Sequence, residues 1–525
     1  MAKTGKLYES QYEEALVDLL AKHGWEYTHG SKIHRNIKDS LITDDLCVYL
    51  STLTYLDGSK IKSDDVKILA DKINYLGAGT HYKTLKAIYK LIRDGFRYTS
   101  QNGICDVKYV DFKNAGNNIF RVVNQFEVAY GQKNDIRIPD VLLFVNGIPL
   151  CIFELKNPSD PNATIDMAYE QIHKRYMRDI PHLLKYCPLS CISDATANHT
   201  LLGTTYTPYE HYYAWKKVNN DDPVATTGID QVKTIVGGVY QTERFLEILR
   251  DYIYFPDDDY DKEEEIVCRY PQFFAARKLR ESVLNAMRND DRKGGTYFGA
   301  TGCGKTYTMA FLARQLTLRC PELNSPTIIM IVDREDLQSQ AGKLFLRSKD
   351  FLALGNVEII RDRQHLKDEL SIRETGGFFI CTIQKFCESI GLLSERNNII
   401  CFSDEAHRTQ VSLGKKLVVK TQVSEEKTVA KGEQLSAENE SKIGAFVSKP
   451  YAEHLRTAFP KATFVGFTGT PIDETIQVFG EIIDSYNMLQ AVEDGITVPI
   501  QYFPRMAKVA LNEERVKEIE EYGLE

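Results

Sequence analysis

The spacing of apolar residues along this chain changes character several times. Residues 8–22 carry Leu16, Val17, Leu19 and Leu20 at helical spacing and stop before Gly24, which predicts an amphipathic helix. Similar patterns predict helices around 43–53, 64–75 and 82–95. Phe120 to Val128 alternates like a strand. Two runs then follow, Ile138–Val145 and Ile148–Lys156, apolar on both faces and joined by Asn146-Gly147. Asn-Gly between apolar runs signals a tight hairpin, and two apolar faces place both strands inside a sheet. A helical pattern over 241–253 closes this half.

In the second half, Ile328–Val332, Phe378–Cys381, Ile399–Phe402 and Phe464–Phe467 are short apolar runs separated by helical stretches. That alternation predicts βαβ units and a parallel sheet. Between the halves, Pro256–Glu265 is strongly acidic, and runs of like charge repel and resist packing. The expected division is therefore a first α/β domain over 1–255, a linker over 256–265 and a second α/β domain over 266–475. The stretch 476–525 reads as a connection onward. Residues 411–445 form a polar insert without apolar periodicity, longer than most loops of a compact domain.

At 525 residues, 43% apolar and 26% charged, the composition is that of an ordinary globular protein with room for two to four domains. The formal net charge of −8 leaves no global footprint for nucleic acid, so any basic groove has to be local. The 11 cysteines are scattered without a C-x-x-C pair, and Cys187 and Cys191 lack the companions of a zinc site. Buried free thiols and a cytoplasmic location are expected. No apolar run approaches the roughly 18 residues of a membrane span.

Chemistry enters at Gly299-Ala300-Thr301-Gly302-Cys303-Gly304-Lys305-Thr306, which fits G-x-x-x-x-G-K-[ST] between a strand and a helix. Gly299, Thr301, Gly302 and Gly304 let successive N–H groups turn toward a polyphosphate, and the helix adds its positive end. Lys305 reaches the β/γ-phosphates of ATP and Thr306 offers its hydroxyl to Mg²⁺. After the third apolar run, Asp404 suits the Mg²⁺ shell and Glu405 can polarise the attacking water. After the fourth, Thr468 and Thr470 are placed to sense the phosphate and couple it to motion. Gln272 has the amide donor and acceptor to bind an adenine edge.

In the first half, Glu154 and Lys156 are two apart on one strand and share a face, while Asp140 enters its partner strand. Two carboxylates can hold Mg²⁺ and the lysine can orient a water or steady a phosphate, as in the PD-x(n)-(D/E)-x-K nuclease pattern. A strict two-residue hairpin puts Asp140 opposite Phe153, on the wrong face, so the site requires an irregularity. Downstream, Gln171 and Arg175 stand one helical turn apart and, with Tyr176, are candidate DNA contacts, as is Lys385 after the second apolar run of the second half.

The ordered set G-A-T-G-C-G-K-T, T-I-Q-K-F, D-E-A-H and T-G-T-P resembles superfamily 2 helicases and translocases. With I-P-D…F-E-L-K-N-P before it, R-Y-P-Q at the join and V-D-R-E-D-L-Q-S-Q beyond, nearly the whole chain resembles the restriction (R) subunit of type I restriction–modification enzymes. The resemblance implies a PD-(D/E)xK nuclease domain followed by a first RecA-like motor domain. It implies Mg²⁺-dependent cleavage of double-stranded DNA coupled to ATP hydrolysis, with modification and specificity subunits as partners. Asp140, Glu154 and Lys156 take the nuclease roles. Lys305 and Thr306 hold nucleotide and metal, Asp404 and Glu405 run hydrolysis, and Gln272 meets adenine. The family's accessory Q-x-x-x-Y element is matched only with an extra residue, Tyr176 lying five after Gln171. No second RecA-like segment follows before Glu525, so the chain is expected to hold ATP but to translocate poorly. The alternatives are a repair or remodelling helicase whose upstream block binds DNA without cutting it, and an assembly module.

Overall fold

The computed structural model describes residues 9–157, 164–257, 263–333, 335–353, 355–383, 391–406, 451–471 and 473–498. Two seven-stranded sheets carry the architecture. The first is built from β1 (Glu26–His29), β2 (Phe120–Asn124), β3 (Val141–Val145), β4 (Ile148–Leu155), β5 (Leu189–Ser193), β6 (Thr200–Gly203) and β7 (Tyr213–Ala214), adjacent in chain order. β1–β2 and β4–β5 pair in parallel and the rest antiparallel. The expected strand from Phe120 stops at Asn124, because Gln125 turns to φ +52°. The predicted helices appear as Glu9–Lys22, Thr43–Leu50, Ser63–Asn74 and His81–Asp94. Their apolar stripes, with Leu16, Leu69 and Leu85 fully or almost fully buried, share a core with Val122, Val141 and Leu143 on one face of the sheet. On the other face Val123, Leu142 and Ile152 pack under Ile165, Ala168 and Ile172.

The second sheet is wholly parallel. In chain order its strands are β8 (Lys293–Gly299), β9 (Thr327–Val332), β10 (Val357–Ile359), β11 (Phe378–Thr382), β12 (Ile399–Ser403), β13 (Thr463–Thr468) and β14 (Ile482–Tyr486). Their spatial order is β10-β11-β9-β12-β13-β8-β14. The four predicted apolar runs are the buried strands β9, β11, β12 and β13. Helices Tyr270–Arg288 and Lys305–Leu318 are mutual neighbours, and the first of them lies along β8. The insert 411–445 lies outside the described residues, as does Lys385.

Ile266–Val267 pairs antiparallel with Ile253–Tyr254, and this ribbon draws Glu265 into the interior despite the acidic run around it. One apolar core runs through both halves here. Tyr254 stacks on Phe351 at 4.7 Å, Tyr252 meets Phe273 at 4.8 Å, and Trp215 meets Phe273 at 5.5 Å.

Candidate nuclease and nucleotide sites

Asn146 and Gly147 form the hairpin turn with φ +52° and +78°, and β3 and β4 pair from Val145↔Ile148 through Phe144↔Pro149. The next pair is Leu143↔Cys151, so Leu150 is an extra residue in β4. Such a bulge shifts every later partner by one. Val141 therefore faces Phe153, and the register carries Asp140 to Glu154 and onto the same face. The irregularity that the chemistry requires is present. Asp140 Oδ2 accepts from the Leu155 N–H at 2.6 Å, which ties the two strand ends together.

Lys156 Nζ donates to Glu154 Oε1 at 2.8 Å, to the Leu155 carbonyl at 3.1 Å and to Gln171 Oε1 at 3.3 Å. Glu154 is fully buried, and its Oε2 has no hydrogen-bond partner. Burial first, and then the Asp140 carboxylate, push the Glu154 carboxyl well above the usual range, while Lys156 pulls the other way. An orphaned, buried carboxylate oxygen beside a second carboxylate is the donor set that a hard cation satisfies. These residues fit Mg²⁺.

The Gln171 segment also differs from the expected α-helix. Residues Gln171–Tyr176 form a π-helical turn between helix Ile165–Glu170 and Met177–Asp179. Its i→i+5 pattern absorbs the extra residue of Q-x-x-x-x-Y, and the Gln171 amide donates to the Tyr176 hydroxyl at 2.9 Å. Tyr176 donates in turn to the Ile138 carbonyl at 3.3 Å, and Glu154 lies close enough to raise the phenol further above burial's effect. Tyr176, and not Arg175, is thus the partner of Gln171, and Arg175 is exposed. His173, in the same turn, is largely enclosed. It stacks on Tyr169 at 4.0 Å and meets the Tyr212 hydroxyl at 2.9 Å, and burial lowers it to about 4.

In the motor half, Gly302 and Gly304 take φ +83° and +85°, a region that glycine enters without strain. A Cβ on Gly304 would also stand 2.6 Å from Gln272 Nε2. Helix Lys305–Leu318 begins at the loop, so its free N–H groups face the curl of the chain. Lys305 Nζ lies 3.3 Å from the Gly299 carbonyl and 3.4 Å from Glu405 Oε1. Asp404, at the end of β12, is mostly enclosed; burial raises it to about 6, with Lys305 opposing and Glu405 adding. Thr468 is buried at the end of β13 and accepts from the Thr470 N–H at 3.1 Å, while Thr470 is exposed. Between them, a Cβ on Gly469 would lie 3.4 Å from Thr301 Oγ1 and 3.8 Å from Lys305 Nζ. Thr306 follows in the first helical turn, partly exposed.

Gln272 Oε1 accepts from the Arg269 N–H at 2.9 Å and Nε2 donates to the Gly304 carbonyl at 3.4 Å, fixing the amide beside the loop. Both lie on a cavity of about 490 Å³ whose lining includes Gly302, Gly304, Gln272, Arg269 and Tyr307. Its far wall comes from the first half of the chain, with Tyr206, Pro208, His211 and Tyr213. Arg269 places its guanidinium 5.1 Å from the Tyr213 ring. Nothing in the sequence pointed to this wall, because its residues stand far from the loop in the chain and meet it only through the fold.

A PD-(D/E)xK-type arrangement on a mixed sheet, followed by a phosphate loop on a parallel RecA-like sheet, defines the class of the chain. Comparison with known proteins agrees. Residues 6–207 match the family described as type I restriction enzyme R protein N terminus, and residues 271–523 match the SWI2/SNF2 ATPase family. The chain is 33% identical over 520 residues to the type I restriction enzyme HindI endonuclease subunit of Haemophilus influenzae, covering 94% of this chain and 46% of that protein. It is 29% identical over 541 residues to the MjaIXP endonuclease subunit of Methanocaldococcus jannaschii, itself a provisional assignment, covering 96% and 46% respectively. A solved fragment of a provisionally assigned HsdR subunit from Vibrio vulnificus aligns over 71% of this chain and 56% of that one, at 16% identity; its TM-score of 0.26 carries no weight. Over nearly all of its length the chain is similar to type I restriction enzyme R subunits, and it spans about half the length of the curated relatives it matches. Among the described residues no helix is long and apolar enough to cross a membrane.

Proposed function

We propose that this chain supplies the nuclease and the ATP-binding part of the motor in a type I restriction enzyme, acting on double-stranded DNA beside modification and specificity subunits. The nuclease is assigned to 1–255, the motor to 266–475, and the segment between to a joint. The observation that carries the reading is the bulge at Leu150, which brings Asp140 onto the face of Glu154 and Lys156.

Asp140 and Glu154 would hold Mg²⁺, which when bound supplies a Lewis acid for a phosphodiester and lowers the cost of ionising a water. Lys156, held by Glu154, the Leu155 carbonyl and Gln171, orients the attacking water and steadies negative charge on the phosphate. Attack at phosphorus breaks the bond to the leaving oxygen, which takes up a proton. Gln171 and Tyr176 keep Lys156 aimed, and Arg175 is available on the exposed side for DNA. In the motor, the loop from Gly299 to Thr306 cradles the phosphates of ATP, with Lys305 exchanging Glu405 for the β/γ-phosphates. Asp404 and Thr306 would take the Mg²⁺ that accompanies ATP, and Glu405 would orient the hydrolytic water. Gln272 faces the base in the cavity. Thr468 and Thr470, beside Lys305 through Gly469, report the phosphate's presence to the rest of the chain. Lys385 remains a proposed DNA contact.

The test is to place Asp140→Ala or Lys156→Ala in the assembled restriction complex and follow plasmid cleavage together with ATP binding. Cleavage should be lost while ATP binding is kept. Undiminished cleavage would remove the nuclease assignment and leave a DNA-binding block on a motor.

A further inference from the structure

Asp494 has no part in the chemistry described above, yet its nearly buried carboxylate gathers donors from three parts of the chain. The Tyr270 and Tyr486 hydroxyls donate to Oδ2 at 2.7 and 2.6 Å. Lys216 Nζ lies 2.7 Å from Oδ1 and also donates to the Glu493 carbonyl at 3.3 Å. The Lys216 and Asp494 side chains are only 7% and 8% exposed, so solvent screens this pair poorly.

Each donor leads to a different piece of the nucleotide site. Tyr270 opens the helix that carries Gln272 two residues later. Tyr486 ends β14, which pairs with the strand feeding the phosphate loop at Gly299↔Tyr486. Its carbonyl accepts from the N–H of Ala300, inside the loop, at 2.8 Å. Three residues beyond Asp494, a Thr497 methyl lies 3.6 Å from where a Cβ would stand on Gly302. Lys216 belongs to the first half, just after β7, and its neighbour Trp215 packs edge-on against Tyr270 and Phe273. Lys216 does not line the nucleotide cavity.

We propose that Asp494 is a positioning residue for the nucleotide site, and that its ion pair with Lys216 couples nucleotide binding in the motor to the seating of the nuclease half. The proposal rests on the ATP-site reading. A buried carboxylate that loses one hydrogen-bonded partner leaves the rest of its network uncompensated. Without Lys216, then, Asp494 holds Tyr270 and Tyr486 less firmly, and the Gln272 helix and the loop lose their common anchor. Linkage makes the effect reciprocal: ATP tightens the Lys216–Asp494 contact by the factor with which that contact tightens ATP.

The experiment uses the 525-residue chain and a fluorescent ATP analogue with Mg²⁺. Lys216→Met is expected to weaken binding at least fivefold, and Lys216→Arg, which keeps the charge, to recover most of the loss. A double-mutant cycle on Lys216→Met and Asp494→Asn, read by chemical unfolding with and without ATP, is expected to show a larger coupling with ATP. Equal nucleotide affinity in wild type and Lys216→Met overturns the proposal, as does a coupling that ATP leaves unchanged, which marks a merely structural pair. Should Asp494→Asn fail to fold, the two Lys216 variants decide the matter. If the wild-type chain binds no nucleotide, the ATP-site reading itself fails, an outcome distinct from the others.

Discussion

Glu154 accepts from Lys156 with one oxygen and from nothing with the other, in a setting that resists ionisation. Such a group is costly unless a cation is there to hold it charged. Mg²⁺ is therefore expected to raise the melting temperature of the wild-type protein, and more so at pH 8 than at pH 6, since the metal competes with a proton. Glu154→Gln should remove that response and lower cleavage by roughly 10²-fold or more. Thermal melts in Mg²⁺ and in chelator, beside plasmid cleavage, check both. A melt that responds to Mg²⁺ as strongly in Glu154→Gln would place the metal elsewhere. Asp404 makes a second expectation at this scale. With its carboxyl raised to about 6, the Mg²⁺-dependent share of nucleotide affinity should fall as pH drops through 6. Asp404→Asn should flatten that profile, which a pH series of nucleotide titrations would read. Both carboxylates were legible in the sequence as residue types at strand ends. Their perturbation was not, because burial depends on what the rest of the fold stacks over them.

Elements decide whether those residues meet. The apolar runs of β9, β11, β12 and β13 were readable because each is buried on both faces and bounded by polar residues. The nuclease strands were equally readable, but their register was not. Alternation cannot say where a bulge sits, only that Asp140 needs one. Pro149, facing Phe144, cannot donate to the ladder, and the extra residue Leu150 follows immediately. Deleting Leu150 should restore strict pairing and turn Asp140 from the face of Glu154. DNA cleavage should then be abolished while the chain, which keeps every residue of the phosphate loop, still binds nucleotide. Retained cleavage in that deletion would show that Asp140 reaches the site without the bulge. The π-turn at Gln171–Tyr176 teaches a related lesson. A spacing that looked wrong for an α-helix is right for a wider turn, and the hydrogen bond between the two side chains shows which geometry the chain adopts.

At the scale of the whole molecule, the acidic run over 256–265 reads in the sequence as a linker between two domains. The described residues at its end add a ribbon strand, and the apolar core continues across it. Asp251, at the end of helix Thr242–Asp251, binds the nuclease half to the phosphate-loop helix. Arg314 Nε lies 3.3 Å from it and Arg319 Nη2 2.8 Å, while Arg250 Nε approaches its other oxygen at 2.8 Å. Arg314 and Asp251 are both almost fully buried, and Arg314 also donates to the Arg250 and Phe351 carbonyls. Removing the charge of Asp251 strands the buried Arg314 guanidinium, so Asp251→Asn should cost about 3 kcal/mol or more. The loss should fall on the whole chain. Both tryptophans, Trp25 and Trp215, belong to the nuclease half, and Trp215 also touches Phe273 across the join, so their emission reports that half and its seam with the motor. In wild type and variant, the tryptophan midpoint should coincide with a single calorimetric transition whose van't Hoff and calorimetric enthalpies agree. The sign with pH follows from the depressed carboxyl: burial opposes ionisation, but Arg314, Arg319 and Arg250 outweigh it. Its stabilisation is therefore fully present above the ordinary aspartate value near 3.9 and is lost as pH falls through the lower folded-state value. Acid below about pH 4 should thus close the gap between wild type and Asp251→Asn. Two separate transitions at neutral pH, with only the tryptophan-bearing one moved by the substitution, would mean that the halves fold independently and that the shared core contributes little.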